Sequence, residues 1–131
     1  KRLFELNDKF YFEDIGIRNS LIGRGKASSI EKIIENAVFL HLVRLGFDVT
    51  VGQLQKAEID FVAQKKGETF YIQVAYLLSS EETINREFGN LQLIRDNHPK
   101  IVVSMDDFFN GIDDQGIRHI HLRHFLQMKE L

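Results

Sequence analysis

Glu58-Ile59-Asp60-Phe61-Val62-Ala63, the turn Lys65-Lys66-Gly67-Glu68, and Thr69-Phe70-Tyr71-Ile72-Gln73-Val74-Ala75-Tyr76 form the stretch that decides the fold. Apolar and polar residues alternate with period two on either side of a polar, glycine-containing turn, which is the pattern of a β-hairpin. With Lys66-Gly67 as the two central turn residues, Lys65 pairs with Glu68, Asp60 with Gln73 and Glu58 with Ala75. A longer loop would shift that register. Alternation then places Glu58, Asp60, Gln73 and Ala75 on one face. Ile59, Phe61, Ile72 and Val74 are expected to point the other way, into the core.

Working outward, Phe47, Val49 and Val51 alternate with Asp48 and Thr50 in a preceding strand that ends at Gly52. Before it, Ser28-Ser29-Ile30-Glu31 has the form of a capping box, with Ser28 as N-cap. Ile30, Ile33, Ile34, Ala37, Val38 and Leu42 follow at helical spacing, and Gly46 stands where a C-terminal glycine stops a helix. Downstream, a second helix is expected from Glu81 towards Leu93, carrying Ile84, Phe88, Leu91 and Leu93. Asn97-His98-Pro99 closes it. Ile101-Val102-Val103 reads as a buried strand, Asp106 to Gly116 as an acidic loop, Ile117 to His121 as a further strand, and the residues through Phe125 as a helical turn. Upstream, Phe10 to Asp14 reads as an extended aromatic piece, Ile15 to Leu21 as a short helix and Gly23 to Ser29 as a linker. The order gives an α/β layered domain with a mixed sheet.

The bulk properties narrow the partners. The chain has 131 residues, enough for one domain with its own core. Seventeen Lys and Arg stand against 19 Asp and Glu, so a polyanion can be held only by a local patch. There is no cysteine, which excludes disulfides and thiolate zinc sites and fits a cytoplasmic location. No apolar run approaches the roughly 20 residues that span a bilayer, so no membrane partner is expected. The chain opens Lys1-Arg2-Leu3 without a methionine and reads as a piece of something longer.

The chemistry-bearing residues are few. Asp60 opposite Gln73 is either a hydrogen-bonded pair on a solvated sheet face or part of a hard-oxygen site for Mg²⁺ or Mn²⁺. Glu35 can add an oxygen from the first helix, although on helical geometry alone an ordinary surface glutamate is the better account of it. His119 and His121 share one strand face with His124 close by, but zinc needs three or four converging ligands, and a solvent-facing strand edge is the expectation. Phe4, Phe10, Tyr11 and Phe12 can stack bases or pack on an upstream domain. No Walker A loop, G-x-S-x-G or G-x-G-x-x-G occurs.

Tyr11-Phe12-Glu13-Asp14-Ile15-Gly16-Ile17-Arg18-Asn19, Ile34-Glu35-Asn36-Ala37-Val38-Phe39, Glu58-Ile59-Asp60-Phe61-Val62, Tyr71-Ile72-Gln73-Val74-Ala75-Tyr76, Glu87-Phe88-Gly89-Asn90-Leu91 and Pro99-Lys100-Ile101-Val102 together carry a resemblance. The chain resembles the PD-(D/E)XK, or restriction-endonuclease-like, domains. More narrowly, it is similar to the C-terminal nuclease-like domain of uncharacterised function on bacterial and archaeal AAA-type P-loop ATPases. The match runs from Lys9 onward. It implies a restriction-endonuclease-like core of helix, three-strand meander, helix and strand over residues 28–131. Residues 1–27 would lead from an upstream ATPase region that binds the ATP. Glu35, Asp60 and Gln73 then occupy the acidic positions, with the Val74 carbonyl as a further metal ligand for Mg or Mn.

Two departures matter. Ala75 stands where those nucleases keep a lysine, and an alanine can neither activate water nor offset transition-state charge. Gln73 replaces an acid. Lys56, expected on the face of Glu58 and Asp60, and Lys32, one turn before Glu35, are the candidates for a displaced lysine; a surface lysine explains each more simply. The favoured reading is a degenerate, non-cleaving binding or regulatory module that serves its own ATPase, contacts DNA through a local patch and can form oligomers. The alternatives are an active metal-dependent DNase using Glu35, Asp60 and Gln73, and a protein-interaction module that never meets nucleic acid.

Overall fold

The computed structural model describes residues 30–107 and 110–131. The Ser28 cap, the linker, the N-terminal aromatics and the Tyr11–Asn19 motif lie outside them. Helix α1 (Ile30–Arg44) leads to β1 (Asp48–Gln53), β2 (Glu58–Lys65) and β3 (Glu68–Val74). Helix α2 (Glu81–Gln92), β4 (Lys100–Ser104), the two-residue β5 (Gly111–Ile112), β6 (Ile117–His121) and α3 (Leu122–Gln127) follow. The sheet is mixed, in the order β1-β2-β3-β4-β6-β5. The meander β1-β2-β3 is antiparallel, β3, β4 and β6 run parallel, and β5 closes the edge antiparallel to β6. β5 has no sequence signal, because two residues are too few to show a period. Among the described residues, no helix is long and apolar enough to cross a membrane.

Helix α1 ends as Gly46 requires. Gly46 takes φ 90°, its N–H donates to Val43 O at 2.9 Å and the Phe47 N–H donates to Leu42 O at 3.1 Å, closing a Schellman motif. Lys65 of β2 donates to Leu45 O at 2.6 Å with its ammonium 5.4 Å from the Phe47 ring centroid. A cation is thereby placed at the negative end of the helix.

Both faces of the sheet are covered. Ile34, Val38 and Leu42 of α1 pack with Phe61, Ala63, Phe70, Ile72, Val74, Ile101, Val103, Ile120 and Phe125. On the opposite face Phe88 and Leu91 of α2 pack with Ile59, Val62, Tyr71, Ala75, Val102 and Ile117. This two-sided burial explains the unbroken apolar run of β4. The first helix departs from its expected stripe, since Ile30 and Ile33 are exposed while Glu35 and Asn36 are buried beside Ile34. Three consecutive buried residues cover about 200° of a helix with 3.6 residues per turn, so α1 is enclosed on more than one side at this point.

The hairpin forms in the expected register, from Lys65–Glu68 to Phe61–Ile72. Ile59 corrects the expected face. Thr50 pairs with Val62 and Gly52 with Ile59, leaving Val51 opposite both Asp60 and Phe61. This β-bulge resets the alternation, so Ile59 packs towards α2 rather than sharing the core face of Phe61. Glu58 pairs with Gln53 of β1 rather than with Ala75.

Lys66 and Gly67 have φ 49° and 83°, the two left-handed residues of a type I′ turn. A Cβ on Gly67 would meet nothing within 4 Å, so its substitution tests backbone conformation alone. Gly67→Ala is expected to lower stability by about 1 kcal/mol, and Lys66→Asn to raise it by a few tenths. Urea denaturation of the two variants checks both signs.

Candidate functional site

At Asp60 and Gln73 the β2–β3 ladder changes its bonding. Beyond the Phe61–Ile72 pair, backbone partners give way to side chains. The Asp60 N–H donates to Gln73 Oε1 at 2.7 Å, and the Val74 N–H donates to Asp60 Oδ2 at 2.8 Å. Each side chain thus satisfies a main-chain donor at a place where the strands part. Val74 is buried, so its N–H would otherwise carry a desolvation cost. The pairing inferred from the hairpin is real in location, but it is an exchange of side-chain and backbone bonds rather than a carboxylate facing a carboxamide.

Gln73 is buried, and its amide reaches α2. Gln73 Nε2 donates to Glu87 Oε2 at 3.2 Å, while Arg86 holds the other carboxylate oxygen, with Nε at 2.9 Å and Nη2 at 2.8 Å from Oε1. Glu87 is 5% exposed. Burial pushes its carboxyl above the usual range; Arg86 opposes this, and the charges of Glu31 and Glu35 add to it. Glu35, also buried, is paired to Lys32 at 3.1 Å. Lys32 is therefore engaged with the acid one turn away. Lys56 lies exposed in the bend between β1 and β2, not on the strand, which corrects its expected place beside Asp60.

Asp60, Gln73 and Glu87 form a bonded chain, with Glu35 electrostatically linked to Glu87. Ala75 is buried among the apolar residues under α2. Arg86 and Glu87 were not singled out as site residues from sequence. The signal was present: Ile84, Glu87 and Leu91 fall at i, i+3 and i+7, which puts Glu87 on the core face of α2.

The histidines also differ from expectation. β6 lies inside the sheet, and His119 and His121 are buried rather than at a solvent-facing edge. His119 Nε2 is 2.7 Å from Ser104 Oγ, and that hydroxyl also accepts the Asp106 N–H at 3.1 Å. Ser104 has no exposed surface, so the pair ties β4 to β6 and offers no accessible nucleophile. His121 Nδ1 caps α3 by accepting from the Arg123 N–H at 3.0 Å.

The chain is 34% identical over 122 residues to an uncharacterized protein of Haemophilus influenzae, covering 93% of this chain and 29% of the relative. The chain therefore spans less than a third of that protein. No family model and no solved structure matches.

A metal site asks for converging, available donors. Among the described residues, no three carboxylate or imidazole groups converge in a way that could hold a metal ion. One oxygen of Asp60 and the amide oxygen of Gln73 already accept backbone protons. Each of these two oxygens thus spends a lone pair on the protein's own main chain.

Two predictions follow from this geometry. Asp60→Ala strands the buried Val74 N–H and is expected to cost about 1–3 kcal/mol, whereas Asp60→Asn keeps an oxygen acceptor and costs less; urea denaturation in metal-free buffer compares them. For Glu87, the folded state binds its proton more tightly than the unfolded chain. Its ionisation therefore removes stability as pH rises from the unfolded pKa through the raised folded one. The melting temperature of Glu87→Gln, relative to the unchanged protein, is expected to be higher at pH 7 than at pH 4.5. Paired thermal melts across that range measure the difference.

Proposed function

We propose that this chain has a restriction-endonuclease-like core whose catalytic centre has become a structural clasp. In this reading it is a non-cleaving binding or regulatory module of a AAA-type ATPase. The observation that carries it is the use of the two central residues. Asp60 and Gln73 serve the backbone of the parted strands, and Ala75 is sealed into the core where a lysine would have to reach solvent. Spanning 29% of its relative is in keeping with an accessory part of a longer protein. Nucleotide hydrolysis would then belong to another part of that protein, and nucleic acid, if engaged, would be held rather than cut.

The second reading, a metal-dependent nuclease, draws on one observation. Glu87 enters the cluster from α2 with a raised pKa and two acidic neighbours, a situation that a cation would relieve. Thermal melts with and without millimolar Mg²⁺ or Mn²⁺, alongside a supercoiled-plasmid assay, separate the two. The expected result is superimposable melting curves and uncut plasmid. A metal-dependent rise in melting temperature that disappears in Asp60→Asn, or nicking that disappears in Glu87→Gln, would favour the nuclease instead.

A further inference from the structure

The opposite face of the sheet carries a cleft that the clasp does not use. It has a volume of about 350 Å³ and is lined by Asn110, Gly111, Arg118, His119, Ile120 and His124. Alternation along β6 puts Arg118 on the same side as Ile120, whose side chain packs with Phe125 of α3. The cleft therefore lies between β6, the short edge strand β5 and α3, away from Gln73 and Glu87. Gly111 has φ 151°, a conformation that side chains resist, so this part of the wall is bare backbone.

The charge here is opposite to that of the whole chain. From Ile117 to Lys129 there is no Asp or Glu, while Arg118, Arg123, Lys129 and three histidines fall within those 13 residues. Arg118 is half-buried and, among the described residues, forms no ion pair. Two acids of the preceding loop are engaged elsewhere. Asp113 Oδ1 accepts the N–H groups of Gln115 and Ile117 at 2.9 and 2.8 Å, and Asp107, 82% exposed, lies 3.7 Å from His121 Nε2. A partly desolvated guanidinium without a carboxylate partner, in a cleft that also presents a histidine, is suited to an anion.

We infer that the β6–α3 cleft is a binding site for a phosphate group, with the guanidinium of Arg118 as its principal donor and His124 as a second. Its volume falls within the range of small-ligand sites. The same phosphate chemistry is presented by a mononucleotide and by a nucleic-acid backbone. The inference stands apart from the clasp, because it uses the other face of the sheet.

The test uses the 131-residue chain and three variants: Arg118→Gln, Arg118→Lys and, as a control on an exposed arginine just beyond α2, Arg95→Gln. Binding of inorganic phosphate and AMP is followed by calorimetry at constant ionic strength. Binding of a fluorescein-labelled single-stranded or duplex oligonucleotide is followed by anisotropy. A mononucleotide site gives saturable AMP binding, about tenfold weaker in Arg118→Gln, partly restored in Arg118→Lys and unchanged in Arg95→Gln. A backbone site gives the same ranking with the oligonucleotide and weakens as salt rises. Either ranking supports the inference. Equal binding by the unchanged protein and Arg118→Gln, or none by either while their melting temperatures agree, overturns it. Plasmid cleavage would bear on the clasp alone.

Discussion

The exchange of bonds between Asp60 and the Gln73–Val74 strand end is the constraint on which the centre of this protein depends. Two strands that separate within a sheet expose main-chain donors that nothing else in the ladder can satisfy. Asp60 and Gln73 reach across the gap and replace the missing carbonyls. Because β3 also pairs with β4, holding this end of β3 in place helps to keep the parallel half of the sheet in register with the antiparallel half. An acid and an amide whose residue types suggest chemistry are, in this setting, parts of the backbone's hydrogen-bonding arrangement.

The clasp extends into α2 through Glu87, and that extension has an electrostatic cost. A carboxylate buried near Glu31 and Glu35 is disfavoured in its ionised form, and the adjacent Arg86 offsets this only in part. Buried ion pairs often contribute little net stability, because desolvation opposes their attraction. The Arg86–Glu87–Gln73 chain is better understood as fixing where α2 sits on the sheet. Its apolar partners Phe88 and Leu91 provide the adhesion.

The two faces of the sheet have separate characters. Under α2 lie the clasp and the Ser104–His119 tie between neighbouring parallel strands. On the α1 and α3 side, the continuous apolar cluster gives way towards the β5 edge to the cationic cleft. A chain with a small net negative charge can hold this positive region because Arg118 of β6 and Arg123 of α3 fall in a stretch without Asp or Glu. A function assigned to one face does not commit the other.

The alternating runs around Lys66-Gly67 made the hairpin and its two-residue turn legible, because turn geometry and a period of two are local properties; the register inferred from that turn held from Lys65–Glu68 to Phe61–Ile72 and gave way at the bulge. Helix α1 up to Gly46, helix α2 and the buried run of β4 were legible for the same reason. The aromatic segment and the Ser28 cap lie outside the described residues. Tertiary structure alone decided the bulge at Asp60, which reversed the facing of Ile59, and the burial of Glu35, Glu87, His119 and His121. It also revealed β5, too short for a pattern. These features depend on what packs against a residue from distant parts of the chain, and local periodicity carries no information about that. Asp60 and Gln73 could be placed together from sequence, but whether their oxygens faced a ligand or the protein's own backbone depended on where the strands part.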